Sequence, residues 1–134
     1  MIVVYWGMTN YTATTEGITV TASPIYLDGQ SDVMQKKFVF AYYIRIENNS
    51  DRTVQLLRRH WIITDGDGDT KDVEGEGVVG KQPVLEPGQK HEYNSFCVLE
   101  TFEGSMEGTF LMSVPGGGEF RISIPRFRLA ARAN

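Results

Sequence analysis

The stretch from Gln55 to Pro83, QLLRRHWIITDGDGDTKDVEGEGVVGKQP, places an apolar strand, an acidic turn and a glycine triplet in under thirty residues. A strand predicted from about Thr53 to Asp65 has mixed parity. Val54, Leu56 and Ile62 share one face, while Leu57, Trp61 and Ile63 share the other. Strand side chains alternate strictly between faces, so such a break predicts a bulge or a change of sheet partner. Asp65-Gly66-Asp67-Gly68-Asp69 then has the composition of a hairpin turn. Strand, turn and returning chain make this a β protein at its centre.

Outward from that stretch the period of two persists. Ile18, Val20 and Ala22 alternate with Thr19, Thr21 and Ser23, as in a half-buried strand. Phe38, Phe40, Tyr42, Ile44 and Ile46 form the cleanest apolar stripe. Their opposite face begins apolar (Val39, Ala41, Tyr43) and ends charged (Arg45, Glu47), which predicts a central strand leaving the core at its C-terminal end. Asn48-Asn49-Ser50-Asp51 supplies turn chemistry through short side chains that bond their own backbone. Shorter strands are predicted at His91–Leu99, Thr109–Val114 and Glu119–Phe127. Phe110, Met112 and Val114 are expected to pack against Phe120, Ile122 and Ile124 across the turn Pro115-Gly116-Gly117-Gly118. No window of helical length escapes interruption by Gly, Pro or β-branched residues. Six to eight short strands spaced by turns predict an all-β sandwich. The 134 residues form one domain (1–134), with a core over about 14–128 and loosely held ends.

Bulk properties narrow the function classes. Thirteen Lys and Arg against seventeen Asp and Glu give a net charge of −4, which argues against nucleic-acid binding through counterion release. The single cysteine, Cys97, forbids an internal disulfide and suits a reducing compartment. With only His60 and His91 as further N or S ligands it cannot build a structural zinc site. The opening MIVVYWGM lacks the basic residues and length of a signal peptide, and no apolar run is long enough to span a bilayer. A cytoplasmic protein with no membrane contact is expected.

Three motifs invite chemistry. Gly75-Glu76-Gly77-Val78-Val79-Gly80 spells G-x-G-x-x-G, which in a dinucleotide fold cradles pyrophosphate at the start of a helix. Lys81-Gln82-Pro83 and Pro87-Gly88 follow, leaving no room for that helix, and Glu76 places a carboxylate where phosphate would sit. The remaining options are a small-anion nest at Gly75, Gly77 and Gly80, or glycines kept for close packing and positive φ. Asp65, Asp67, Asp69 and Glu76 occupy positions 1, 3, 5 and 12 of an EF-hand loop, but position 6 is Thr70 rather than Gly. A solvated turn is preferred, with a divalent metal as the alternative. Arg59, His60 and Trp61 suit a recognition patch, since Arg and Trp are enriched at binding hot spots, or a core Trp flanked by surface cations. Catalytic material is thin. Cys97 and His91 lie six residues apart, roughly 20 Å along a strand, too far for a nucleophile and its base.

Several short blocks, in order, resemble the ApaG family. They are Tyr26-Leu27 with Gln30-Ser31, Phe40-Ala41-Tyr42, Ile46-Glu47-Asn48, Arg59-His60-Trp61, the glycine block with Gln82-Pro83, Pro87-Gly88, Gly104-Ser105-Met106-Glu107-Gly108 and Ile124-Pro125-Arg126-Phe127. The resemblance spans about residues 14–128 and departs at Arg58, Phe96 and Phe102. It implies a fibronectin-III-like or immunoglobulin-like sandwich of two antiparallel sheets and about seven strands. No catalytic activity is established for such domains. They are often encoded beside the hydrolase of diadenosine tetraphosphate, are associated with cobalt and magnesium resistance, and in eukaryotes look like partner-binding modules. The expectation is a non-enzymatic module without cofactor that binds a protein through Arg59, His60, Trp61, Gly75, Glu76, Gly77, Gly80, Gln82 and Pro83. The alternative is a sensor of a polyphosphate or nucleotide at Gly75, Gly77 and Gly80, or of Mg²⁺ or Co²⁺ at Asp65, Asp67, Asp69 and Glu76.

Overall fold

In the computed structural model, which describes residues 9–132, the chain folds into nine strands. They are β1 (Tyr11–Thr15), β2 (Ile18–Tyr26), β3 (Phe38–Asn48), β4 (Val54–Asp65), β5 (Thr70–Glu76), β6 (Val84–Leu85), β7 (Lys90–Leu99), β8 (Glu103–Val114) and β9 (Gly118–Ala130). One sheet has the order β1-β2-β3-β7; the other has β5-β4-β8-β9, with β6 also paired to β4. Every named pairing is antiparallel. The all-β sandwich is therefore present, with nine strands where about seven were expected. The surplus is β1, which lies in a segment read as a loose end, and the two-residue β6. At the other end β9 continues to Ala130, and Ala131 N–H donates to the Phe102 carbonyl at 2.7 Å. Residues 1–8 and 133–134, also read as loose, lie outside the described residues.

The alternation seen in the sequence explains the core. Phe40, Ile44 and Ile46 of β3 meet Ile18 and Val20 of β2 and Phe110, Met112, Ile122 and Phe127 of the facing sheet, all at most 1% exposed. Trp61 sits at the middle, 2% exposed, with its ring 5.2 Å from Tyr42 and 5.9 Å from Phe127, near edge-on to both. Such aromatic pairs contribute about 0.5–1.5 kcal/mol each beyond the area they bury.

The parity break in β4 has both predicted causes. The ladder to β8 shifts between Leu56 and Arg58, a bulge at Leu57. On its other side β4 pairs with β6 through Val54 and Gln55, and with β5 only from Arg58 onward. Asn48, fully buried, organises the neighbouring corner. Its Nδ2 donates to the carbonyls of Arg52 (2.7 Å) and Leu85 (2.9 Å), and its Oδ1 accepts from the backbone and hydroxyl of Ser50. One side chain thus joins the β3–β4 turn to β6, and every polar atom of its amide has a partner, as burial demands.

Candidate functional site: a clamped glycine loop

Beyond the bulge, alternation sends Arg59 and Trp61 inward and Arg58, His60 and Ile62 outward. The expected Arg59-His60-Trp61 surface patch is thereby divided. Trp61 is a core residue and cannot present its ring to a partner. His60 lies on the outer face, where Nε2 meets Asp72 Oδ2 at 3.0 Å. Arg59 points the other way, beneath the glycine block. Its Nη1 donates to the carbonyls of Glu76 (3.0 Å) and Gly77 (3.1 Å). Gly75 stands opposite Arg59 in the ladder, and a Cβ there would lie 2.8 Å from Nη1. Glycine at 75 makes room for the guanidinium.

The bulge supplies the second anchor. The Leu57 carbonyl accepts from Gly77 N–H (2.8 Å) and from Gln82 Nε2 (3.0 Å). Gln55 Nε2 donates to the Gln82 carbonyl, and Leu56 N–H to the Pro83 carbonyl. Gly77 has φ +63°, and a Cβ on it would run into the Lys81 carbonyl. Six residues quoted from the sequence thus cooperate as a clamp: Arg59, Gly75, Glu76, Gly77, Gln82 and Pro83.

What the clamp presents is a two-residue hairpin turn. Val78 N–H donates to the Lys81 carbonyl (2.8 Å) and Lys81 N–H to the Val78 carbonyl (3.1 Å). The two residues between them, Val79 (φ +47°) and Gly80 (φ +76°), are both left-handed, as a type I′ turn requires. Val78 plugs the core at 1% exposure, while Val79 is 64% exposed at the tip. A β-branched residue in that conformation is a genuine outlier, because its Cβ crowds the following carbonyl. Asn or Gly would fit without strain. Val79 did not emerge from the sequence as a site residue, although Val-Gly where Asn-Gly is favoured was the available signal.

The anion-nest alternative loses donors here, since the amides of Gly77, Val78 and Lys81 already hold the loop together. At the acidic turn, carboxylate oxygens of Asp65, Asp67 and Asp69 lie within 4.8 Å of one another. Glu76 does not join them. It pairs with Arg58 at the far end of β5, six ladder positions from Thr64↔Thr70, or roughly 20 Å. Asp65 Oδ1 also accepts from the amides of Asp67 and Asp69, which is the bonding of a closed polar turn. Cys97 is buried opposite Phe40, and desolvation pushes its thiol up to about 11, against nucleophilic use. His91 is lowered by partial burial and by Lys81, with Glu92 opposing.

The chain is thus a two-sheet β-sandwich protein with a bulge-anchored G-x-G-x-x-G loop. The ApaG domain family matches residues 28–114, and the chain belongs to that family. It is 52% identical to Protein ApaG of Paramagnetospirillum magneticum over 119 residues, covering 89% of this chain and 92% of that one. It is 48% identical to Protein ApaG of Brucella abortus, with the same coverage. A crystal structure from Bordetella pertussis described as ApaA superposes with a TM-score of 0.84 at 44% identity, covering 87% of this chain and 95% of that chain. Among the described residues no helix is long and apolar enough to cross a membrane.

Proposed function

We propose that this domain is a non-enzymatic protein-binding module, a fibronectin-III-like or immunoglobulin-like sandwich that engages its partner with the tip of the glycine loop. The observation that carries this reading is Val79, an exposed apolar side chain held in a strained conformation on a clamped loop. Backbone strain of about 1–3 kcal/mol is retained where it serves a role, and nothing in the fold needs an isopropyl group there. A rigid tip loses little entropy on docking, so an apolar pocket on the partner gains most of the burial energy. The buried, poorly ionised thiol of Cys97 supports a non-enzymatic role, and a free thiol suits the cytoplasm. The test is Val79→Asn, which relieves the strain and removes the apolar tip. The variant is expected to be more stable by about 1 kcal/mol and to lose the proteins that the immobilised wild-type domain captures. Capture of the same proteins by the variant would remove the tip from the interface.

One observation favours a second reading, a divalent-metal sensor: the three carboxylates of Asp65, Asp67 and Asp69 converge within 4.8 Å. Titration with Mg²⁺ and Co²⁺ decides it. Saturable amide shifts confined to residues 65–69 support a metal site, and unmoved resonances at millimolar ion exclude one.

A further inference from the structure

Strand β7 ends its sheet, and its open edge is built differently from the others. Ten consecutive pairs join it to β3, from Phe38↔Leu99 to Glu47↔Lys90, without a register shift. Leu27 N–H, on the β2 side of β3, donates to the Val39 carbonyl, whereas Asn48 N–H donates to the Gln89 carbonyl on the β7 side. Bonded pairs alternate with unbonded ones in an antiparallel ladder, so Phe40↔Cys97, Tyr42↔Ser95 and Ile44↔Tyr93 are bonded pairs. Lys90, Asn94, Phe96 and Val98 therefore turn their N–H and C=O groups towards the open edge, where no further strand of the described residues runs. Their side chains also face away from the core. Phe96 is 58% exposed and Val98 56%, while Cys97 and Leu99 beside them are buried.

A strand edge is a template for another strand, and folded proteins blunt it with charge, proline, bulges, shortness or cover. The other edges carry such devices. β5 bears Lys71, Asp72, Glu74 and Glu76, and β6 has only two residues. β1 and β9 close on each other, with the Tyr11 ring 6.2 Å from Phe127 and Ser123 N–H donating to Thr15 Oγ1 at 3.1 Å. In β7 the ionisable side chains Lys90, His91 and Glu92 sit at the start. Asn94 to Leu99 hold neither charge nor proline.

We propose that β7 is a self-association edge, pairing antiparallel with β7 of a second copy about a two-fold axis at Ser95, so that two four-stranded sheets become one. Charge selects both the occupant and the register. Edge-facing groups meet only in registers two residues apart, and in a two-fold pair these centre on Asn94, Ser95 or Phe96. Centred on Phe96, the pairing sets Glu92 against Glu100, and like charges directly opposite are destabilising. Centred on Asn94, it leaves Lys90 against Val98. Centred on Ser95, it sets Lys90 against the exposed Glu100 of the second copy at both ends. Asn94 then lies opposite Phe96 of the second copy, and the two Phe96 rings are diagonal neighbours over the axis. The edge is thus self-complementary, as a two-fold interface must be.

Sedimentation of the full chain from micromolar to millimolar concentration is expected to show monomer giving way to dimer. As it does, hydrogen exchange at the Asn94, Phe96 and Val98 amides should slow, while that of Tyr93, Ser95 and Cys97, already bonded to β3, stays constant. Phe96→Glu sets a carboxylate diagonal to Glu92 of the second copy and is expected to weaken the dimer at least about tenfold. Glu100→Lys should weaken it too, and adding Lys90→Glu to that variant should restore it. All three altered positions are exposed, so the monomer keeps its fold. A chain that stays monomeric at millimolar concentration overturns the proposal and leaves the edge to a foreign strand. So does a dimer that forms unchanged in Phe96→Glu, one that slows exchange elsewhere and not at those three amides, or a double variant as weak as Glu100→Lys alone.

Discussion

Gly77 and Val79, two positions apart, have opposite relations to a left-handed backbone. At Gly77 the conformation is required and a side chain is forbidden, by φ +63° and by the Lys81 carbonyl. Gly77→Ala is expected to cost at least about 2 kcal/mol in denaturant unfolding, since strain and steric conflict add. At Val79 the conformation is imposed on a residue that resists it, so substitution there stabilises. Asn48 is the residue whose loss reaches furthest. Asn48→Ala removes the side-chain donor shared by the Arg52 and Leu85 carbonyls in a buried corner, and is expected to cost about 2–4 kcal/mol. The Ser50 amide also loses its acceptor, while the Ser50 hydroxyl keeps only the Arg52 carbonyl at 3.2 Å. Unfolding midpoints of the three variants, measured together, should order as Val79→Asn, wild type, Gly77→Ala, with Asn48→Ala also below wild type.

Among elements, β4 determines what the loop can be. Its bulge turns Arg59 inward and leaves the Leu57 carbonyl to accept from the loop, so strand irregularity and site are one feature. Arg59→Met keeps the aliphatic stem and removes the donor to two carbonyls. It is expected to destabilise the domain by about 1–3 kcal/mol and to speed amide exchange from Gly77 to Lys81. Unchanged exchange in that segment would show that the Leu57 anchor suffices alone. The strands and turns were legible in the sequence because period two and turn residues are local signals. The bulge was legible too, as mixed parity among Leu56, Leu57, Trp61 and Ile62. Its exact residue was not, and a one-residue shift in parity decides whether Arg59 or His60 reaches the loop. Glu76 shows the same limit: twelve-residue loop spacing means convergence only if the chain curls, and β5 is extended. Residues 11–13 were misjudged because an edge strand of Thr and Tyr carries little apolar pattern.

For the whole molecule, buried titratable groups set the pH range of stability. His91 has a folded pKa below its usual 6.5, chiefly from desolvation, so the unfolded chain binds its proton first as pH falls. Its contribution is complete above about pH 6.5 and declines as pH drops towards the folded value. His91→Asn is expected to flatten the stability profile in that window. Cys97, Tyr42 and Tyr93 are acids raised by burial, so they erode stability at the opposite limit, as pH climbs past the pKa values they have when unfolded. Thiol reagents at pH 8 should leave native Cys97 unmodified and react once the chain is unfolded. The bulge also governs where this chain can change length. Deleting Leu57 would leave the ladder from Arg58 to Asp65 and the inward face of Trp61 in place, since Leu56↔Met112 and Arg58↔Leu111 are already consecutive. It would remove the carbonyl that holds Gly77 and Gln82 and so free the glycine loop. The tips Asp67-Gly68 and Gly116-Gly117 bond within their own turns and anchor no second loop. Insertions and deletions among natural relatives should gather at those tips and be absent around Leu57.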